Sequence, residues 1–202
     1  WWQLDKGAES PLKSPWAKGL GAAGMLHAFM RSGNDVRIAC QSMLVGQKWG
    51  ITAIREDADG EQPPTYMPTG RVTGFYSRHH GNERLLLELA GMPTYAQPVR
   101  LNGIAPARRV AVVDVVATRN AETLFLHLIN RHLSKAITAN FDLRAVGYAG
   151  AAVLHRCLKG GLRGTETKLT TDTLEPPDQG GLLPVTLPPR SVSIIEVGRA
   201  GD

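Results

Sequence analysis

Apolar residues keep a helical spacing only near the start of the chain. Leu20, Ala23, Leu26 or His27, and Met30 recur every three to four positions, which predicts a helix from Trp16 to about Met30. Ser14-Pro15 suits its start, with Ser as N-cap and Pro in the first turn. Gly19, Gly21, Ala22, Ala23 and Gly24 crowd one side of it, the face of a helix that packs closely, most naturally against a sheet. Ser32-Gly33-Asn34-Asp35 breaks the pattern. A second short helix is expected over about Val36 to Val45, where Ile38, Ala39 and Leu44 are apolar.

After Gly46 the period changes to short alternating or apolar runs, divided by turn residues at intervals near ten. Strands are expected at Trp49–Arg55, Thr65–Met67, Arg71–Ser77, Arg84–Leu89, Val99–Leu101, Val110–Ala117, Leu124–Ile129, Ile137–Leu143, Ala152–Leu158, Leu183–Leu187 and Ser191–Val197. Asp59-Gly60, Asn102-Gly103 and Lys159-Gly160-Gly161 read as turns, and Leu158 to Leu182 as the longest loop. No further helical period is evident between the runs. The fold class expected is mainly β: a jelly-roll-like antiparallel β-sandwich preceded by one or two helices.

A chain of 202 residues with 43% hydrophobic and 20% charged residues has the profile of a soluble globular protein, long enough for a sizeable core. No apolar run reaches the length of a membrane span. The net charge of +5 raises the question of nucleic acid, but the bases are scattered. The densest stretch, Arg156 to Lys168, is broken by Gly160, Gly161 and Gly164 and has no interleaved aromatics, so it reads as a solvated surface. Neither nucleic acid nor a membrane is an expected partner. Cys40 and Cys157 sit in apolar surroundings and read as buried thiols. The chain opens on Trp1-Trp2 without an initiator Met and closes on an alternating strand, the pattern expected of the tail of something larger; the compartment stays open.

The candidate chemistry is thin. Gly19-Leu20-Gly21-Ala22-Ala23-Gly24 matches G-x-G-x-x-G but follows helical residues rather than a strand, so close helix packing is the better reading and no cofactor is expected. Six histidines and two cysteines lack paired ligand spacing, so no metal site is expected; His79-His80 read as a turn before Gly81 that could rim a cleft. Glu88, Asp114 and Glu196 interrupt apolar strands, where a lone acid usually faces solvent or pairs with Arg. Asn82-Glu83 sits in a turn, the wrong place for a glycosidase acid. There is no G-x-S-x-G elbow. All four Trp lie at positions 1, 2, 16 and 49, which argues against an autonomous sugar-binding sandwich. No catalytic residue is assigned within the chain.

Ala23-Gly24-Met25-Leu26-His27-Ala28-Phe29-Met30-Arg31, followed by Asp35-Val36-Arg37-Ile38-Ala39-Cys40-Gln41-Ser42-Met43-Leu44-Val45, resembles the end of the catalytic barrel of α-L-arabinofuranosidases of glycoside hydrolase family fifty-one. Tyr76-Ser77-Arg78-His79, Pro93-Thr94-Tyr95, Val113-Asp114-Val115-Val116-Ala117, Leu128-Ile129-Asn130-Arg131 and Leu187-Pro188-Pro189-Arg190-Ser191-Val192 resemble that family's C-terminal domain. The resemblance spans nearly the whole chain, most weakly from about 158 to 182. It implies residues 1–48 as the remnant of a (β/α)8 barrel and 49–198 as the C-terminal β-sandwich. It further implies a retaining exo-glycosidase that releases terminal α-L-arabinofuranosyl units from arabinan, arabinoxylan or their oligosaccharides. The two catalytic glutamates would lie upstream of Trp1-Trp2, so this chain alone would be inactive. The sugar would be an arabinose-containing polysaccharide or oligosaccharide held by the missing barrel, and the full-length enzyme could be a homo-oligomer. The resemblance also implies sugar contacts near Gln41, Met43 and Gln47. Met43 stands where the family often has Gln, and Gly46 where it has Asn; a thioether cannot replace an amide's hydrogen bonds. A non-catalytic assembly domain and a carbohydrate-binding module are the competing readings.

Overall fold

The computed structural model describes residues 15–47, 52–57, 59–100, 105–148 and 152–199. The Ser14 cap, the Asn102-Gly103 turn and parts of the runs expected at Trp49–Arg55 and Val99–Leu101 fall on positions outside those ranges, as do Trp1-Trp2.

The chain begins with α1 (Pro15–Arg31), matching the helical period. The small-residue face does what its composition suggests. A Cβ on Gly19 would lie 3.0 Å from the Trp16 ring and 3.1 Å from Pro68 Cβ, so glycine there allows close packing rather than cofactor binding. Trp16 is fully buried, and its Nε1–H donates to the Arg190 carbonyl at 2.7 Å.

The helix expected over Val36–Val45 does not form. A short 3-10 turn, Gly33–Asp35, ends at an extended Val36, and Met43 has a left-handed φ of 58° that no helix interior admits. The carbonyls of Met43 and Leu44 instead accept from the Ala53 and Ile54 amides. This creates a small sheet in which β1 (Val45–Gly46) pairs in parallel with β2 (Ile54–Arg55), itself antiparallel to β3 (Thr65–Tyr66). Cys40, on this irregular segment, is exposed, whereas Cys157 is buried as expected.

A second correction concerns Arg71–Ser77, which lies within α2 (Pro68–Arg78) and not a strand. Pro68 at its first turn pre-sets a helical φ. Val72, Phe75 and Tyr76 then fall on one buried face at i, i+3 and i+4. Arg-Val-Thr-Gly-Phe-Tyr-Ser is rich in β-favouring Val, Thr, Phe and Tyr, and packing against α1 overrides that local preference.

The sandwich is built on a six-stranded sheet. Its strands are β4 (Glu83–Leu85), β7 (Val113–Arg119), β8 (Thr123–Asn130), β10 (Val153–Gly160), β11 (Thr167–Leu174) and β13 (Ser191–Gly198), in the order β11-β10-β13-β8-β7-β4, all antiparallel. Two strand pairs complete the fold: β9 (Ile137–Asp142) with β12 (Leu182–Leu187), and β5 (Thr94–Gln97) with β6 (Ala107–Ala111). Leu183, Val185 and Leu187 alternate with exposed Leu182, Pro184 and Thr186, and join Val113, Val115, Leu126, Leu128 and Ile195 in one core. The opposite face carries a second core, where Phe125, Ile129, Leu158, Val192 and Ile194 meet Trp16, Ala23, Val72 and Phe75 of the helices. Covered on both faces, β7, β8 and β13 read as near-continuous apolar runs.

The expected loop from Leu158 to Leu182 is also corrected: it contains the end of β10, the whole of β11 and a turn at Gly161–Gly164. Thr94–Gln97 is a strand not foreseen in the sequence, and the single run expected at Val110–Ala117 is divided at Val112 between the end of β6 and most of β7.

Candidate functional site

Two places on the helical side gather chemistry. The first is a cleft of about 160 Å³ between α1, the segment after it and α2. Met25, Leu26 and Phe29 supply one wall, Ala39 to Ser42 a second, and Thr69 and Thr73 a third. Gln41 is half-buried at its edge, and its Oε1 accepts from the Thr73 hydroxyl at 2.7 Å. The structure separates the three residues linked above to sugar contacts. Gln41 lines the cleft, but neither Met43 nor Gln47 is among its lining residues, and Gln47 is exposed.

The second is a buried polar cluster between the helices and the sheet. Asp114, the second residue of β7, receives guanidinium groups from Arg31 at the end of α1 and Arg131 just past β8. Arg31 Nη2 also donates to the Val115 carbonyl at 3.0 Å, and Arg131 Nη1 to the Ala111 carbonyl at 3.1 Å. His27 Nδ1 lies 3.3 Å from Asp114 Oδ1, a long, poorly aligned contact that acts more as a dipole than a hydrogen bond. The Tyr76 hydroxyl sits 2.8 Å from His27 Nε2, so α2 is tied to α1. Beyond it, His127 stacks on Tyr76 and lies 3.0 Å from Thr118 Oγ1, which accepts from the Gly81 amide.

The electrostatics are those of a lock. Burial raises the Asp114 pKa, but His27 and the two guanidiniums outweigh it and hold the carboxyl ionised, well below the usual carboxylate range. Burial keeps His27 and His127 neutral by lowering their pKa values, and raises that of Tyr76. Glu196 is similarly engaged: Arg156 Nε donates to it at 2.7 Å and His79 Nδ1 approaches at 2.6 Å. Glu83 is held bidentately by Arg119 at 2.8 and 2.9 Å. Glu88 is solvent-exposed on the stretch after β4. Asp114, Glu196 and Glu83 are thus structural anions rather than a facing pair across a sugar. Among the described residues, no group of three His, Cys, Asp or Glu could hold a metal ion.

No protein-family model matches the chain, and no curated protein matches it. Solved structures do. The thermostable GH51 α-L-arabinofuranosidase of Thermotoga petrophila RKU-1 superposes with a TM-score of 0.74 at 19% identity, covering 92% of this chain and 39% of that one. The Thermotoga maritima α-L-arabinofuranosidase in complex with arabinose gives 0.73 at 18% identity, with 93% and 39% covered. The GH51 arabinofuranosidase of Xanthomonas axonopodis pv. citri gives 0.68 at 18%, with 97% and 39% covered. The fold is that of the C-terminal part of a GH51 arabinofuranosidase. This chain spans about two fifths of the length of those arabinofuranosidases.

Within that arabinofuranosidase-like fold, the expected pairing of a strand-borne acid with Arg holds for Asp114 and Glu196. Sequence reasoning missed the partners. Arg31 lies 83 positions from Asp114 and Tyr76 lies 49 from His27, and neither distance leaves a local signal. Only the apolar context of His127 on its strand, and the lone Asp in Val-Val-Asp-Val-Val, hinted at buried polar groups needing partners.

Proposed function

We propose that this chain is the C-terminal region of a retaining α-L-arabinofuranosidase, an enzyme that releases terminal α-L-arabinofuranosyl units from arabinan- or arabinoxylan-type saccharides. Residues 1–48 are the end of its (β/α)8 barrel, and 49–198 form its β-sandwich. The observation that carries the reading is the asymmetry of coverage. Arabinofuranosidases match this chain over nine tenths of its length, yet three fifths of their own length lies elsewhere. The state of two strand-borne acids supports it: Asp114 and Glu196 are consumed by arginines, so neither is poised for acid/base work.

In a retaining glycosidase two carboxyl groups stand about 5–5.5 Å apart, one as nucleophile and one as acid/base. Both belong upstream of Trp1, at C-terminal ends of barrel strands. The chain's own part is to brace the barrel. α1 presents its sheet-facing side to the sandwich through Asp114, and the segment 39–42 offers Gln41 to the sugar side of the cleft. With Met43 in place of an amide, recognition at the cleft falls to Gln41.

The test is the protein encoded by this region extended upstream through a complete barrel. It is expected to hydrolyse an aryl α-L-arabinofuranoside with retention of anomeric configuration, followed by NMR. Gln41→Ala in it is expected to raise KM by about tenfold, the cost of one lost hydrogen bond. An extended protein that is folded but inactive on arabinofuranosides, or that inverts, contradicts the proposal.

A further inference from the structure

The two edges of the six-stranded sheet are unlike. One is β4, three residues long and too short to template another chain. The other is β11, eight residues paired with β10 in unbroken register, without proline or bulge. Among the described residues no strand pairs with its outer side, and such an edge is the usual starting point for strand addition.

The side chains of β11 are arranged symmetrically about Thr170. Lys168 lies two residues before it and Asp172 two residues after, on the same face of the strand. Neither takes part in an ion pair among the described residues. Lys168 stands directly opposite Lys159 of β10, an unfavourable like-charge cross-strand pair. On the other face, Leu169 is 53% exposed and flanked by Thr167 and Thr171.

We infer that β11 is an interface between two copies of this chain, pairing antiparallel with itself about a two-fold axis through Thr170. In that register Lys168 faces Asp172 of the second copy and Asp172 faces its Lys168. Thr170 meets Thr170, Leu169 meets Thr171, and Thr167 meets Thr173. One self-complementary strand gives two opposite-charge pairs, relieves the Lys159–Lys168 repulsion and shields Leu169. The two six-stranded sheets become one continuous sheet. A lone lysine on an edge strand would block pairing. An opposite charge at the mirror position converts the block into a register lock. This inference stands independently of the enzymatic reading.

Sedimentation velocity of the 202-residue chain tests it. The wild type is expected to dimerise reversibly, and less so as salt rises. Lys168→Asp places two Asp–Asp contacts in the interface and Asp172→Lys two Lys–Lys contacts; each is expected to weaken association by at least about tenfold. An equimolar mixture of the two single variants is expected to form the heterodimer, since each then complements the other. The double variant, with charges exchanged, is expected to regain homodimers. Both positions are exposed, so circular dichroism should show all variants folded. A monomeric wild type, a dimer indifferent to the single substitutions, or a mixture that stays monomeric overturns the inference.

Discussion

Asp114 is the residue on which the helical layer turns. It draws Arg31 from α1, Arg131 from the end of β8 and His27 from the middle of α1 onto one carboxylate, in a site that is mostly dry. Removing one partner of a buried ion pair typically costs about 3–5 kcal/mol, because the charge left behind stays desolvated. Arg31 retains 43% side-chain exposure and can turn to water, so Asp114→Asn is expected to cost less, about 2–3 kcal/mol, by urea denaturation. Loss below about 0.5 kcal/mol would show that the cluster is incidental. The same cluster sets a pH dependence. His27 and His127 have folded pKa values below their unfolded ones, so the folded state holds fewer protons. Their contribution is complete above the unfolded value near pH 6.5 and declines as pH falls toward the folded values, by up to about 1.4 kcal/mol per unit for each group. Asp114 is also depressed, so its contribution is complete above about pH 4 and is lost as pH falls further. Melting temperature should therefore fall from pH 7 to pH 5, and His127→Gln should flatten that slope. An unchanged slope would mean that His127 is not neutral by burial.

Among the elements, α2 shows most clearly how packing corrects a local pattern. Val72, Phe75 and Tyr76 are compatible with strand or helix on sequence alone; only the second core, shared with Trp16 and Ala23, selects the helical spacing. Its docking is close. A Cβ on Gly70 would meet the Ala53 carbonyl oxygen at 2.3 Å, a backbone contact that cannot rotate away. Gly70→Ala is expected to destabilise by about 1–3 kcal/mol despite alanine's higher helix propensity. A stabilised variant, in the same denaturation experiment, would show that α2 can shift off β2. β11 illustrates the opposite difficulty. Lys-Leu-Thr-Thr-Asp-Thr-Leu has polar residues on both faces, so it shows no alternation and reads as loop. The structure pairs it fully because β10 supplies every backbone partner on one side. By contrast, β8, β12 and β13 were legible, since their apolar content matches the number of faces they bury.

For the whole molecule, the division into a helical layer and two β layers was legible in the sequence because hydrophobic periodicity reports burial. The candidate site was not, because sites depend on which distant residues meet. His27, Tyr76 and Asp114 occur in three separate segments, and nothing local marks them as neighbours. The same holds for Gln41 and Thr73, whose bond closes the cleft edge. What emerges is a helical layer joined to a sandwich by an apolar core and one buried carboxylate, with the fold of the C-terminal part of arabinofuranosidases three fifths of whose length lies elsewhere. Asp114 and Glu196 serve structure, and the proposed enzyme's chemistry is assigned to residues outside this chain. The most direct measurement is turnover of an aryl α-L-arabinofuranoside by the pure 202-residue chain. The account predicts no hydrolysis above the uncatalysed rate. Steady turnover that is abolished by replacing one of the chain's own carboxylates would contradict it.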